Sequence, residues 1–205
     1  MAWSGSSFNL WNDSALTSAF SGTLSIINKT NLSDNPQIFN LWLGSPTSNR
    51  ALKDSTSPGT NNITITPIDT LPTWQATTAY LLGNDVKSVS SNGFVYQCTT
   101  AGTSGSTEPT WPISGFGSTV VDGTIVWTLV SAHHPKTEVT LALTSGALAT
   151  NTPGAALSVG TIVNSTAANA VEIWIKVVNT VTNVANNAGN PEIGLQRSAV
   201  IEVAV

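Results

Sequence analysis

Three carboxylates, Asp85, Glu108 and Asp122, fall in one stretch of the chain, and paired carboxylates flanking a glycosidic bond are what sugar hydrolysis requires. Their settings argue against that chemistry. Asp122 stands before Gly123 in a turn sequence and Asp85 lies in a second turn, so local backbone needs account for both. No Gly-x-Ser-x-Gly nucleophile elbow, phosphate loop or dinucleotide fingerprint is present. The two histidines, His133 and His134, sit side by side in "SAHHPK" and point opposite ways if extended, so a metal there would need ligands from another strand or subunit. They read as part of an exposed linker. Cys98 is the single cysteine, which excludes an intrachain disulfide and cysteine-based metal frameworks and reads as a buried structural thiol. The expectation is a non-enzymatic protein with no metal and no cofactor.

Glu108 belongs to "CTTAGTSGSTEPTWP" (98–112), a run of small hydroxyls and glycines that ends in this acid and a tryptophan between two prolines. Pro109 and Pro112 stiffen the backbone around Trp111, which would hold its ring at the surface at little entropic cost. The stretch reads as a rigid surface loop, with Glu108 accepting from backbone amides or a sugar hydroxyl. Trp74, Tyr80, Tyr96, Trp111 and Trp127 surround it in sequence. In so small a module the large residues must supply most of the buried area, so they are core candidates first. The competing reading is a sugar-stacking face made of Trp111, Tyr96, Tyr80 and Trp74 with Glu108.

The elements that would position these residues are strands. "FNLWL" (39–43), "NITITPI" (62–68), "GFVYQC" (93–98), "TIVWTLV" (124–130), "TEVTLAL" (137–143), "VEIWIKVV" (171–178) and "AVIEVAV" (199–205) alternate apolar and polar residues between Gly, Pro, Asn and Ser. Asn92-Gly93 and Asp122-Gly123 each suit a two-residue type I′ hairpin. The nearest approach to a helix is "DSALTSAF" (13–20), where Asp13 can cap one or two turns. The fold class expected is all-β.

Laying Trp42 on Trp174 exposes a repeat. "LSIINKTNLSDNPQIFNLWL" matches "LSVGTIVNSTAANAVEIWI", with Leu24-Ser25-Ile26 on Leu157-Ser158-Val159 and Phe39, Leu41 and Leu43 on Val171, Ile173 and Ile175. "SPGTNNITI" then corresponds to "NAGNPEIGL". In each copy the i, i+2, i+4 apolar set faces a core while the tryptophan points the other way. The reading is an N-terminal β-sandwich module (1–71) and a C-terminal one (132–205), or two halves of one sandwich, with a small β-hairpin module (72–131) inserted between them. Trp42, Trp174, Trp3 and Trp11 are the residues expected at interfaces, where aromatics dominate binding. The C-terminal "SAVIEVAV" has no charged tail and suits strand addition to a neighbour's sheet.

Composition bounds the partners. Only 9% of the 205 residues are charged, against about a quarter in ordinary domains. Solvation must come largely from hydroxyls and amides, as in extracellular and virion β proteins. A net charge of -4 with seven Lys plus Arg leaves nothing to neutralise a row of phosphates, which argues against nucleic acid. "MAWSGSSFNLWNDS" has neither the basic start nor the apolar run of a signal peptide, and no stretch approaches the roughly 18 apolar residues of a membrane span. The expectation is a protein made and assembled in a cytoplasm and released by lysis.

Residues 73–130 resemble a small aromatic-rich module of bacteriophage tail-fibre and other virion proteins, itself similar to the chitin-binding type of carbohydrate-binding domain. The resemblance is carried by Trp74, Thr78, Tyr80, Gly83, Asp85, Val86, Gly93, Tyr96 and Cys98, then by "TTAGTSGSTEPTWP" and "VVDGTIVWTLV". It departs at "GND" (83–85), where Gly-Asp directly is the pattern. The C-terminal segment is similar to β domains of phage and prophage structural proteins. The resemblance implies a structural protein of a tailed-phage virion, exposed on the particle as a capsid decoration, head-fibre, tail-fibre or baseplate component. Its partners would be other virion proteins and itself, as a homo-oligomer with a trimer favoured. The alternative is an adhesin whose inserted module binds bacterial surface glycan for host attachment.

Overall fold

The computed structural model describes residues 6–22, 24, 36–180 and 192–205 and is all-β. The first part of the chain gives β1 (Asn9–Trp11), β2 (Gln37–Gly44), β3 (Arg50–Asp54) and β4 (Thr64–Asp69). The inserted part gives β5 (Ala79–Tyr80), β6 (Asp85–Val86), β7 (Phe94–Thr100), β8 (Gly102–Thr103), β9 (Thr119–Asp122) and β10 (Ile125–Ala132). The last part gives β11 (Val139–Ala142), β12 (Leu157–Ser158), β13 (Ile162–Asn164), β14 (Val171–Val177), β15 (Ile193–Arg197) and β16 (Val200–Ala204). All seven strands expected from alternation are present; "TEVTLAL" opens with a single 3-10 turn, Lys136–Glu138, before β11.

The two flanking segments share their sheets. One sheet runs β1-β2-β14-β11, and two three-stranded sheets run β12-β4-β15 and β13-β3-β16. All three contribute to one core, which includes Phe8, Leu41, Leu43, Leu52, Ile63, Ile65, Leu141, Val163, Ile173 and Ile175. The pairing follows from period 2: Leu41 and Leu43 on β2 and Ile173 and Ile175 on β14 all point inward, and β2 and β14 lie antiparallel with Ile173 opposite Leu41.

The repeat is therefore an internal pseudo-twofold. The strands matched by the Trp42–Trp174 alignment pair with each other, β2 with β14 and β4 with β15. The symmetry also reaches upstream of the aligned stretch, because β1 flanks β2 as β11 flanks β14. Buried Leu16 and buried Leu148 occupy equivalent turns, closed by Leu16 N–H to Asp13 O (3.2 Å) and Leu148 N–H to Ser145 O (3.3 Å). Within the first copy's aligned stretch, Ser25, Ile26 and residues 27–35 lie outside the described residues, as does Trp3.

The inserted residues build a second core of their own from Trp74, Tyr80, Val86, Tyr96, Cys98, Ile125, Trp127 and Leu129. Its sheet runs β6-β7-β10-β9, with β5 and β8 paired beside it.

Three local expectations change. The β9–β10 hairpin exists, but Asp122 pairs with Ile125, so its central residues are Gly123 and Thr124. Gly123, at φ 61, is the first of them, the type II′ position for glycine. Asn92-Gly93 does not make a two-residue turn: β6 and β7 pair from Val86 opposite Tyr96, and the loop between is held by Ser88 Oγ and Asn92 Oδ1. Residues 13–20 form no helix; the Asp13 carboxylate accepts from the amides of Thr17 and Ser18 and closes a single turn. The C-terminal strand, β16, pairs antiparallel with β3 and forms the edge of its sheet.

Because Leu41 and Ile173 are opposed and buried, Leu41→Ala and Ile173→Ala should each cost about 2–5 kcal/mol in guanidinium unfolding followed by far-UV circular dichroism. The double variant should lose less than the sum, since the two vacancies merge. Strict additivity would contradict a shared core.

Candidate functional site

In the insert, alternation along β10 sends Ile125, Trp127 and Leu129 inward, and pairing with β9 turns Asp122 to the same side. Asp122 is 4% exposed and carries the cluster: its Oδ2 accepts from Trp74 Nε1 (2.8 Å) and Trp127 Nε1 (3.0 Å), and its Oδ1 from the Gly105 amide (2.7 Å). A buried carboxylate is tolerable only with such donors. Gly105 allows the approach, because a Cβ there would lie 2.8 Å from Asp122 Oδ1. The hydroxyl-rich loop (98–112) thus lies down against the hairpin. Ser104 stitches it further, its Oγ donating to Gln75 O (2.7 Å) and accepting from the Thr78 amide (2.9 Å).

The aromatics expected at a sugar face are placed as follows. Trp74 is 5% exposed, Tyr80 9% and Tyr96 0%. The Tyr80 ring meets Trp127 edge-on at 4.9 Å, and its hydroxyl accepts from the Gln75 amide. The Tyr96 hydroxyl donates to Pro112 O (2.9 Å) and accepts from Asn92 Nδ2. Trp111, expected to stand out from the surface, is folded back: it stacks on Tyr96 at 4.2 Å and approaches Trp127 at 5.9 Å. Its Nε1 donates to Glu108 Oε1 (2.7 Å), which also accepts from the Val89 amide (2.8 Å). The stacking energy available to Trp111 goes inward, although part of its ring stays accessible. At the "GND" departure, Asn84 Oδ1 closes the turn by accepting from the Leu81 amide (2.8 Å), while the Gly83 amide donates to Cys98 O (2.9 Å) and the Cys98 amide to Asn84 O (2.8 Å). Cys98 is buried, and burial pushes its thiol up, against reactivity.

The candidate interface residues lie on the opposite, outer side of the β1-β2-β14-β11 sheet. Trp11 opposes Trp42, Trp42 opposes Glu172, and Trp174 opposes Asn40. Trp42 and Trp174 are thus diagonal neighbours on either side of the Asn40–Glu172 hydrogen bond (3.1 Å). Trp11 Nε1 donates to Gly44 O (2.9 Å). These rings are half-buried and Ile38, on the same side, is 53% exposed.

A third group lies where insert and sandwich meet, and sequence reasoning misplaced it. His133 is 4% exposed and buried, and His134 is half-buried, so "SAHHPK" is no exposed linker. His134 Nδ1 lies 2.8 Å from Glu138 Oε2, its amide donates to Glu192 Oε2 (2.6 Å), and Glu138 Oε1 accepts from the Thr180 amide (2.7 Å). Burial opposes a charge on His134, but the Glu138 hydrogen bond and the Glu138 and Glu192 charges outweigh it and hold the imidazole above its ordinary value. Glu138 is disfavoured by burial too, yet its bonds to His134 and Thr180 bring it below the usual carboxylate range. Among the described residues, no group of three His, Cys, Asp or Glu is arranged to hold a metal ion.

Compared with protein-family profiles, with curated proteins and with solved structures, the chain has no match.

The local turn signal hid the main role of Asp122, although alternation already put it on the inner side with Trp127, whose buried N–H needs an acceptor. Asp122→Ala should cost at least about 3 kcal/mol, since it strands two indole N–H groups and one amide. Asp122→Asn should lose less. Urea unfolding read by tryptophan fluorescence measures both; equal stability of the alanine variant would remove Asp122 from its place at the centre of this core.

Proposed function

We propose that this protein is a non-enzymatic structural component of a tailed-phage virion, assembled in the host cytoplasm and carried on the particle surface as a capsid decoration, head-fibre, tail-fibre or baseplate subunit. The sandwich packs against other virion proteins and further copies of the chain, and the insert projects from it. The observation that carries this reading is the outer face bearing Trp11, Trp42, Trp174 and Ile38, a cluster of large apolar side chains left half-covered on a rigid sheet. Aromatics in such a setting give most binding energy per residue. The carboxylates of the insert support the same reading from the other side, because Asp85, Glu108 and Asp122 are each engaged by specific donors of the fold.

The adhesin reading keeps one supporting observation. Trp111 retains some accessible ring surface and is followed by Ile113 and Phe116, which are 66% and 40% exposed. Under that reading Trp111→Ala abolishes binding on a glycan array while near-UV circular dichroism is preserved.

For the virion role, the Trp42→Ala, Trp174→Ala double variant should fold, by circular dichroism, and be lost from purified particles. Each truncation is expected to weaken attachment by about 2 kcal/mol or more, roughly thirtyfold. Particles that retain the double variant at the level of the unaltered protein would overturn the assignment of this face. Light scattering of the isolated protein reads the proposed oligomer directly.

A further inference from the structure

The insert and the sandwich meet along a seam with few contacts of defined chemistry. Lys87, just after β6, reaches Asp69 at the end of β4, with Nζ 3.1 Å from Oδ2. Asp69 Oδ1 accepts from the Lys136 amide (2.7 Å). Across the boundary the His133 amide donates to Gly93 O (2.9 Å); on the insert side Lys87 is held in place by its amide donating to Pro72 O and its carbonyl accepting from the Trp74 amide, each at 2.9 Å. Beside them sits the His133 ring, 4% exposed, with a buried Nε2 that has no hydrogen-bond partner among the described residues.

An unpartnered imidazole nitrogen buried at the joint between two cores is costly when neutral and far costlier when charged. We propose that this seam is an acid-released latch: a proton taken up by His133 from solvent opens the joint, leaving both cores folded and the insert tethered by its two connecting strands. Opening lets water reach the imidazolium, which the closed seam excludes.

The neighbours set the sense of the switch. Burial holds His133 below the ordinary histidine value of 6.5, with Lys87 and His134 adding to that and Asp69 and Glu138 only partly opposing it. A depressed value means that His133 favours the closed seam fully above 6.5 and ceases to do so as pH falls through its value in the closed state. His134 has the opposite sense: raised by Glu138 and Glu192 despite burial, its contribution is complete below 6.5 and fades as pH rises through its own value. Glu192, pushed up chiefly by burial and also by Glu138 and Asp85, has the same sense as His134: it takes its proton more readily in the closed state and so offsets part of the His133 effect as pH falls. Opening on the acid side is therefore driven by His133 against the opposing sense of His134 and Glu192.

The test is hydrogen exchange on the full chain, corrected for intrinsic rates, from pH 7 to pH 5. Protection at the His133 amide, which bonds across the seam to Gly93 O, should fall by up to about tenfold per pH unit as pH drops from 6.5 toward the closed-state value of His133, while the Lys87 and Trp74 amides, bonded within the insert, should hold. Amides of Leu41, Ile173, Tyr96 and Trp127 should be unchanged. His133→Gln should abolish the seam response, and His134→Gln should keep it. In the unaltered protein, the His133 ring should titrate below 6.5 by NMR, a reading that stands whether or not the variant folds. Seam protection that does not change with pH, a response that survives in His133→Gln, or a ring titrating at or above 6.5 would each overturn the latch.

Discussion

Pairing of β2 with β14 is the constraint on which the rest of the molecule depends. It joins residues from opposite ends of the chain, and the apolar sets on both strands have no other place to go. Long-range pairing of this kind is entropically expensive, because everything between the strands must be closed into a loop. The insert reduces that expense by closing itself. Residues 72–74 run beside Lys87 and the His133 amide binds Gly93, so the insert's entry and exit are tied to its own strands rather than left as an open connection. The sandwich thus receives a connection whose ends already lie together.

Self-closure makes a different demand on the insert. A core of a few large rings has little aliphatic area to draw on, so polar groups inside it must be satisfied almost completely. Asp122 meets that demand for two indoles at once, Glu108 does so for Trp111, and the Tyr96 hydroxyl is both donor and acceptor. The same solution explains why the small-residue loop is so rich in glycine and serine: its backbone must come down onto the β9–β10 hairpin, and at Gly105 and Gly123 a Cβ would strike neighbouring atoms. An extended, hydroxyl-rich sequence that looks like an exposed surface loop is here a lid over the core.

What was legible in the sequence was whatever has a local period. Strands with alternating apolar residues, the hairpin at Gly123 and the Trp42–Trp174 repeat could all be read, because one face of each strand must be buried. What was not legible depended on contacts distant in the chain. Nothing near "SAHHPK" announces that Glu192 and Asp69 gather around it, and a pair of histidines before a proline carries the signature of a linker. The prolines beside Trp111 fixed a backbone, as expected, but not the direction of the ring; Tyr96 and Glu108 decide that. The upstream limb of the repeat has no sequence signal beyond the Ala-Leu shared by the turns at Leu16 and Leu148, and the burial of both leucines is what makes it structural.

The divergence of the two halves bears on how the proposed interface would assemble. Trp42 and Trp174 are preserved across the pseudo-twofold, whereas the equivalent positions beside them are Asn40 and Glu172, and Gly44 is matched by Lys176. Gly44 makes room for Leu16, while Lys176 reaches over to donate to Leu148 O (2.7 Å). The outer face therefore has paired aromatic anchors in an asymmetric polar setting, with Glu172 as the acid of the central pair. The pseudo-twofold is thus kept strictly on the inner side of the sheet, where both halves must fill one core, and is relaxed on the outer side, where the tryptophans alone are retained among the positions named.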